Sequence, residues 1–231
     1  MNSLTTIVKD KLLAEGACLV GIGDLTELPA QVRCGLPIGI SVVVKFPAEV
    51  IRGISDLPTR EYYEWYQRLN EQLDALVSLG AGILQEHGYE AIAQTRAQVG
   101  SFEGDNNNSV LPHKTVATRA GIGWIGKSAL LVTEQFGSMV RLSSILTNAP
   151  LSTDEPINTS KCGACLICTE ACPGNAISGR QWQLGLYRDE FFDPVKCRST
   201  ARERSQIGFG EAATICGKCI EVCPHTRQAM A

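Results

Sequence analysis

The chain has 231 residues, 44% of them hydrophobic and 19% charged, with a formal net charge of −3. That is enough apolar chain for one generous core or two small ones, and the acidic balance argues against a protein that tracks nucleic-acid phosphates. The longest uncharged run, residues 34–44, falls short of the roughly 20 residues that a membrane helix needs. The amphipathic start, residues 1–16, is no secretory signal, and a cytoplasmic protein without a membrane partner is expected.

Residues 3–15 carry Leu4, Ile7, Val8 and Leu12 at helical spacing, and residues 17–22 read as a short strand ending at Gly23 and Asp24. Residues 38–46, with Val42, Val43 and Val44, give the strongest strand signal. Thr59, after Pro58, caps a long helix. Its Tyr62, Trp65, Tyr66, Leu69, Leu73, Leu76, Val77, Ile83 and Leu84 keep three-and-four spacing, and Gly80 and Gly82 offer a bend. That stripe is a core face first and a cofactor wall second. Residues 89–95, 129–133 and 139–146 follow as strands and 114–120 as a helix, without regular alternation, which makes the fold class α+β.

Ten cysteines are the unusual feature. Cys18 and Cys34 stand apart and are expected to be small buried hydrophobes. The other eight lie between Cys162 and Cys223, past a turn-rich stretch at 148–156, so the chain divides into residues 1–152 and 153–231. Cys162, Cys165, Cys168, Cys172 and Pro173 follow C-x2-C-x2-C-x3-C-P, the bacterial ferredoxin pattern for a [4Fe–4S] cluster, in which the fourth cysteine serves the other cluster. Cys216, Cys219, Cys223 and Pro224 repeat the ending but lack one cysteine, and Cys197 upstream can supply it. The ligand sets then close as Cys162, Cys165, Cys168 and Cys223 for one cluster and Cys172, Cys197, Cys216 and Cys219 for the other. Zinc gives no reason for the triplet or the CP ending, and cysteines this close on a turn pair poorly as disulfides. Gly163 and Gly217 would let backbone N–H groups approach sulfur. His225 is expected to donate a hydrogen bond near sulfur, and His87 to serve a helix end.

Gly121, Gly123, Gly126, Lys127 and Ser128 match both G-x4-G-K-[ST] and G-x-G-x-x-G. Either nucleotide loop needs a strand before the glycines and a helix after them. Here the helix precedes and the strand follows, which excludes that reading.

The stretch from Arg119 through the glycines to Lys127, Leu130 with Gly137, Leu146 with Asn148, and the two cysteine groups with Cys197 between them resemble the epoxyqueuosine reductase family, which is related to reductive dehalogenases. The resemblance is good over residues 107–225 and weaker at residues 15–23. It implies a flavin-reductase-like α/β sandwich holding base-off cobalamin, followed by a two-cluster ferredoxin-like domain that feeds electrons to cobalt. Two departures stand out. Asn107 falls where the family has its catalytic Asp, and an amide cannot deliver that proton; Asp105 and His113 are the candidates to replace it. The chain also ends soon after His225, without the family's helical tRNA-holding repeats, so no tRNA partner is expected.

The expected function is therefore a reductase relaying electrons from a donor such as ferredoxin or flavodoxin, through two [4Fe–4S] clusters, to a corrinoid or a flavin, for reduction of a small-molecule substrate. Gly121, Gly123 and Gly126 would approach that cofactor, Trp124 would pack on its plane and Lys127 would pair with an anionic group; core packing and a solvated charge are the plain alternatives for the last two. An electron carrier or reductive activator docking to another protein is the competing function, and a sensing role for the clusters a third.

Overall fold

The structure, a computed structural model, describes residues 3–99 and 109–231. Helix α1 (Leu4–Ala14) begins where the Ser3 hydroxyl accepts from the Thr6 N–H. Strands β1 (Leu19–Asp24) and β2 (Ile38–Lys45) follow, then a short α2 (Ala48–Arg52). The Thr59 hydroxyl accepts from the Tyr62 N–H and starts α3 (Arg60–Glu86), one continuous helix through Gly80 and Gly82. Gly80 serves packing, since a Cβ there would meet Ile145 Cδ1 at 2.5 Å. Next come β3 (Ala91–Ala93), α4 (Arg96–Val99), α5 (His113–Arg119), β4 (Trp124–Ile125), β5 (Leu131–Val132) and β6 (Val140–Thr147). The cysteine-rich stretch carries α6 (Ile167–Glu170), α7 (Pro194–Phe209), α8 (Lys218–Glu221) and α9 (Pro224–Ala229). Among the described residues no helix is long and apolar enough to cross a membrane.

Four strands form one sheet in the order β1-β2-β6-β3, every neighbouring pair antiparallel. Successive side chains of a strand point to opposite faces, and here both faces are covered. Ile40, Val42, Val44 and Ile145 join Leu12, Leu73 and Val77 of α1 and α3. Leu146 joins Leu25, Leu36 and Val116, the last from α5. Burial on both sides explains why β2 reads as an unbroken apolar run, and each such large side chain contributes ~1.5–3 kcal/mol.

Three expectations change. The strand expected over 89–95 shortens to Ala91–Ala93, an edge strand paired only with β6. That expected over 129–133 pairs with β4 at Leu131–Val132 and by a single bridge from Thr133 to Gly137. Ala129 sits at φ 59°, and Gly126 and Leu130 close a turn beside it, so the extended run starts late. Cys34 is exposed, at φ 54° in a turn, instead of a buried hydrophobe. Cys18 is half-buried, and burial pushes its thiol up to about 11.

The cysteine-rich part shares the first core. Ile215 and Ile220 pack in the same cluster as Val50, Ile51, Ile54 and Tyr62. Gly217 lies between them at φ 76°, where a Cβ would come within 2.7 Å of Ile54 Cδ1. The connecting stretch is held as well: Asp154 accepts from Lys9 Nζ at 2.7 Å and from the Ile22 N–H at 2.8 Å. A last tie joins α9 to the turn before β6. Ser138 N–H donates to Thr226 Oγ1 at 3.0 Å, and Gly137, at φ 54°, leaves only 2.3 Å between an added Cβ and Thr226 N. Replacing Gly137 with Ala is expected to cost about 1–3 kcal/mol through backbone strain and the displaced helix, measured by denaturant unfolding under anaerobic conditions; an unchanged midpoint would contradict this docking.

Candidate iron–sulfur centre

The eight clustered cysteines gather around two cavities. Cys162, Cys165, Cys168 and Cys223 line one of about 90 Å³, and Cys219 also reaches its wall. Cys172, Cys197, Cys216 and Cys219 line the other, of about 40 Å³. The groups are interleaved along the chain. Cys172 follows the first triplet yet faces the second cavity, because α6 carries it around the turn, whereas Cys223 comes back from beyond α7 to the first cavity. Pro224 starts α9 directly after Cys223, and Asp193 caps α7 four residues ahead of Cys197 by accepting from Val195 and Lys196.

None of the ten cysteines is in a disulfide, and among the described residues no three metal-ligating side chains converge on a point the size of a single ion. The thiols surround spaces instead of points, which suits a cluster better than zinc. Burial, and then the neighbouring Cys162, Cys223 and Cys165, raise the Cys168 thiol to about 11. Burial, then Cys172 and Cys216, do the same to Cys197. Cys219 is pushed up further by burial, with Cys197 and Cys216 ahead of Cys168 among its neighbours, so it belongs with the second set despite touching both cavities. Thiolates this close and this buried repel one another unless cationic iron stands between them. One orphaned buried group fits the same occupant: Trp124 Nε1 finds no partner among protein atoms, and Trp124 packs beside Cys162 and Cys223. Cluster or cysteine sulfur would supply its acceptor.

The glycine motif serves this centre from behind. A Cβ on Gly121 would meet Glu155 O at 2.7 Å, one on Gly123 would meet Val132 O at 2.2 Å, and one on Gly126 would meet Val132 Cγ2 at 2.8 Å and Cys162 Sγ at 3.6 Å. Their close approach is to protein, which corrects the expectation that they face a flat cofactor. Trp124 is fully buried, edge-on to the His225 ring with centroids 5.0 Å apart, and offers no open plane. Lys127 is not a solvated surface charge. It is buried, and its Nζ donates to Gly163 O and Cys165 O, both at 2.9 Å, clamping the first cysteine loop. Among the recorded hydrogen bonds, the backbone N–H to sulfur contact comes from Ala176 to Cys172 Sγ at 3.4 Å, not from Gly163 or Gly217. His225 lines the first cavity and meets Trp124 edge to face, while His87 Nδ1 lies 2.8 Å from Ile83 O at the end of α3.

The two candidate proton donors separate. Asp105, like Asn107, lies outside the described residues. His113 starts α5, and its Nδ1 lies 2.8 Å from Ser144 Oγ on β6. It lines a cavity of about 380 Å³ that none of the cluster cysteines touches. Burial, then the positive charge of Arg141, hold its imidazole down at about 4, so it is neutral at pH 7.

Residues 161–226 match the family model described as a 4Fe-4S double cluster binding domain. Epoxyqueuosine reductase from Bacillus anthracis is 34% identical over 125 residues, which cover 51% of this chain and 30% of that protein. The enzyme of the same name from Listeria monocytogenes is 47% identical over 118 residues, covering 48% of this chain and 29% of that protein. Over about half its length the chain is similar to the epoxyqueuosine reductases. The matched stretch thus spans about a third of those relatives. In fold, the chain also resembles a catabolic reductive dehalogenase solved with 3-bromo-4-hydroxybenzoic acid, at TM-score 0.73 and 20% identity over 95% of this chain and 31% of the other. An epoxyqueuosine reductase solved with an epoxyqueuosine-modified tRNA stem loop gives 0.62 and 18% over 97% of this chain and 65% of the other.

Two polar residues gave no signal in the sequence: Arg141, beside His113; and Lys114, whose buried Nζ donates to Ala129 O at 2.8 Å and is lowered to about 8 chiefly by desolvation. Neither belongs to a motif: Lys114 stands in a helix pattern and Arg141 in an apolar strand pattern.

Two outcomes are expected here. Lys127→Met leaves two loop carbonyls without their donor, at a cost of about 1–3 kcal/mol, and should lower the iron retained after gel filtration; full retention and unchanged stability would contradict the clamp. For His113, the folded pKa lies below the unfolded one, so its contribution to stability is complete above about pH 6.5 and is lost as pH falls toward about 4. Comparing thermal unfolding of the protein with its His113→Gln variant between about pH 7 and pH 5 should show a smaller loss in the variant.

Proposed function

We propose that the protein is an iron–sulfur reductase for a small-molecule substrate. Residues 153–231 hold two [4Fe–4S] clusters on the ligand sets Cys162, Cys165, Cys168, Cys223 and Cys172, Cys197, Cys216, Cys219, and residues 1–152 form a flavin-reductase-like cofactor and substrate part. The observation that carries this reading is the pair of adjoining thiol-lined cavities with Cys219 on the wall of both. Two clusters side by side suit electron relay, and a soluble cytoplasmic donor such as ferredoxin or flavodoxin is the partner this chemistry needs. When bound, the clusters supply one-electron transfer, and a corrinoid supplies a metal that can pass electrons to the substrate.

A corrinoid is the terminal cofactor we favour. Support comes from likeness in fold to a reductive dehalogenase described by a mechanism for B12-dependent dehalogenation, at TM-score 0.72 and 18% identity. This chain's own residues prepare the site. Lys127 fixes the first cysteine loop, Trp124 and His225 pack behind it, and α5 and β6 bring His113 and Arg141 to a separate cavity. Neutral at pH 7, His113 can accept or donate a hydrogen bond there.

Anaerobic reconstitution tests the proposal. Iron and sulfide should each reach about eight per chain, and Cys197→Ser should remove one reduced-cluster EPR signal while sparing the other. About half the iron in the unmodified protein, or an unchanged spectrum in the variant, would overturn the ligand sets. Hydroxocobalamin should change to a base-off spectrum on binding; an unaltered spectrum at saturating protein removes the corrinoid.

A further inference from the structure

The 380 Å³ cavity lies between α3, β3, α4, β6 and the start of α5, away from the thiols. Its chemistry is set by one cation. The Arg141 guanidinium lies over the Tyr66 ring, 4.3 Å from the centroid, and donates through Nε and Nη2 to Asn70 Oδ1 at 3.1 and 2.8 Å. Asn70 is itself buried. An amide oxygen holds a guanidinium in place but leaves its charge uncancelled.

Among the described residues Arg141 has no carboxylate within ion-pair distance. The carboxylate that does line the cavity, Asp74, is already spent on Arg96, whose Nε lies 2.7 Å and whose backbone N–H lies 2.9 Å from it. Among the described residues, Asp74 and Arg96 cancel, His113 is neutral at pH 7, and Arg141 leaves a net positive charge in a pocket with Leu73 and Leu142 on its walls. The guanidinium fork that Asn70 does not use is preorganised at no further entropic cost.

We propose that this cavity binds a small organic carboxylate, its two oxygens on the unused edge of Arg141 and its carbon skeleton against Leu73 and Leu142. One guanidinium edge matches the two oxygens of a carboxylate, whereas a phosphate dianion calls for more donors than one arginine and apolar walls provide. This deepens the proposed function by naming the substrate as a carboxylate; only the ligand's role as substrate rests on that reading, since binding itself needs no cluster.

Calorimetry on the anaerobically reconstituted full chain tests it, with butyrate and cyclohexanecarboxylate as probes, the neutral amide of each as control, and inorganic phosphate as competitor. At least one carboxylate should bind one per chain, about tenfold or more tighter than its amide, the order expected for a charge-assisted hydrogen-bond pair. Arg141→Gln should lose that discrimination and Arg141→Lys keep part of it. Asn70→Asp keeps the arginine and cancels its charge, so it should weaken carboxylate binding about as much as Arg141→Gln and guards against a misfolded arginine variant. No binding by either carboxylate, equal binding of acid and amide, tighter binding of phosphate, or unchanged affinity in Asn70→Asp would each overturn the proposal. Iron, sulfide and reduced-cluster EPR on the same samples separate the two readings. Intact clusters without carboxylate binding sink the cavity assignment alone, and carboxylate binding without clusters sinks the reductase alone.

Discussion

Eight thiols can be held apart in two adjoining cavities only if the loops that carry them have something rigid to lean on, and short helices such as α6 and α8, four residues each, cannot supply it themselves. The support comes from the contact of Ile215, Gly217 and Ile220 with Ile54 and Tyr62. Through it the second cysteine group becomes part of the core built on α3 and the sheet. The first group is supported differently, by Lys127 beneath its loop and by Trp124 and Phe191 in a smaller core. Residues on the two sides of the turn-rich stretch at 148–156 therefore depend on one another for shape.

Electrostatics follows from that packing. A core that buries thiols raises the cost of ionising them, and iron is what offsets the cost. The same core presents a buried lysine to the backbone of the first loop, where carbonyl dipoles accept its protons. In the cavity between α3 and β6 the pattern is inverted. There an arginine is held by an amide, a histidine is held neutral, and the carboxylate is occupied elsewhere.

The sequence was most informative where spacing is dictated by chemistry. The interval between Cys162, Cys165, Cys168 and Cys172 is fixed by what must wrap around a cluster, and it pointed to the sorting of thiols between two cavities. The helical period of α3 and the apolar run of β2 were legible for the same reason: one face, or two, must be buried. Reading failed where a side chain's surroundings come from distant segments. Trp124 and Lys127 sit in a motif that suggests a ligand, yet their neighbours are His225, Gly163 and Cys165, supplied by a later part of the chain. Arg141 sits inside an apolar strand pattern, and nothing local says that Asn70 and Tyr66 will hold it. The strand length of β3 depended on having a single neighbour, which only the topology decides.

The docking of α9 at Gly137 also bears on how the molecule is made. The first three thiols are synthesised before α7, while Cys223 is synthesised after it, and chains order themselves from the N-terminus during translation. Until α9 has reached its seat beside Ser138, the first cavity stands open on the side that Cys223 closes, and the cost of bringing the two ends together across α7 falls on that step. Closing the first cavity thus requires the segment beyond α7, because Cys223 completes a wall that the triplet alone leaves open.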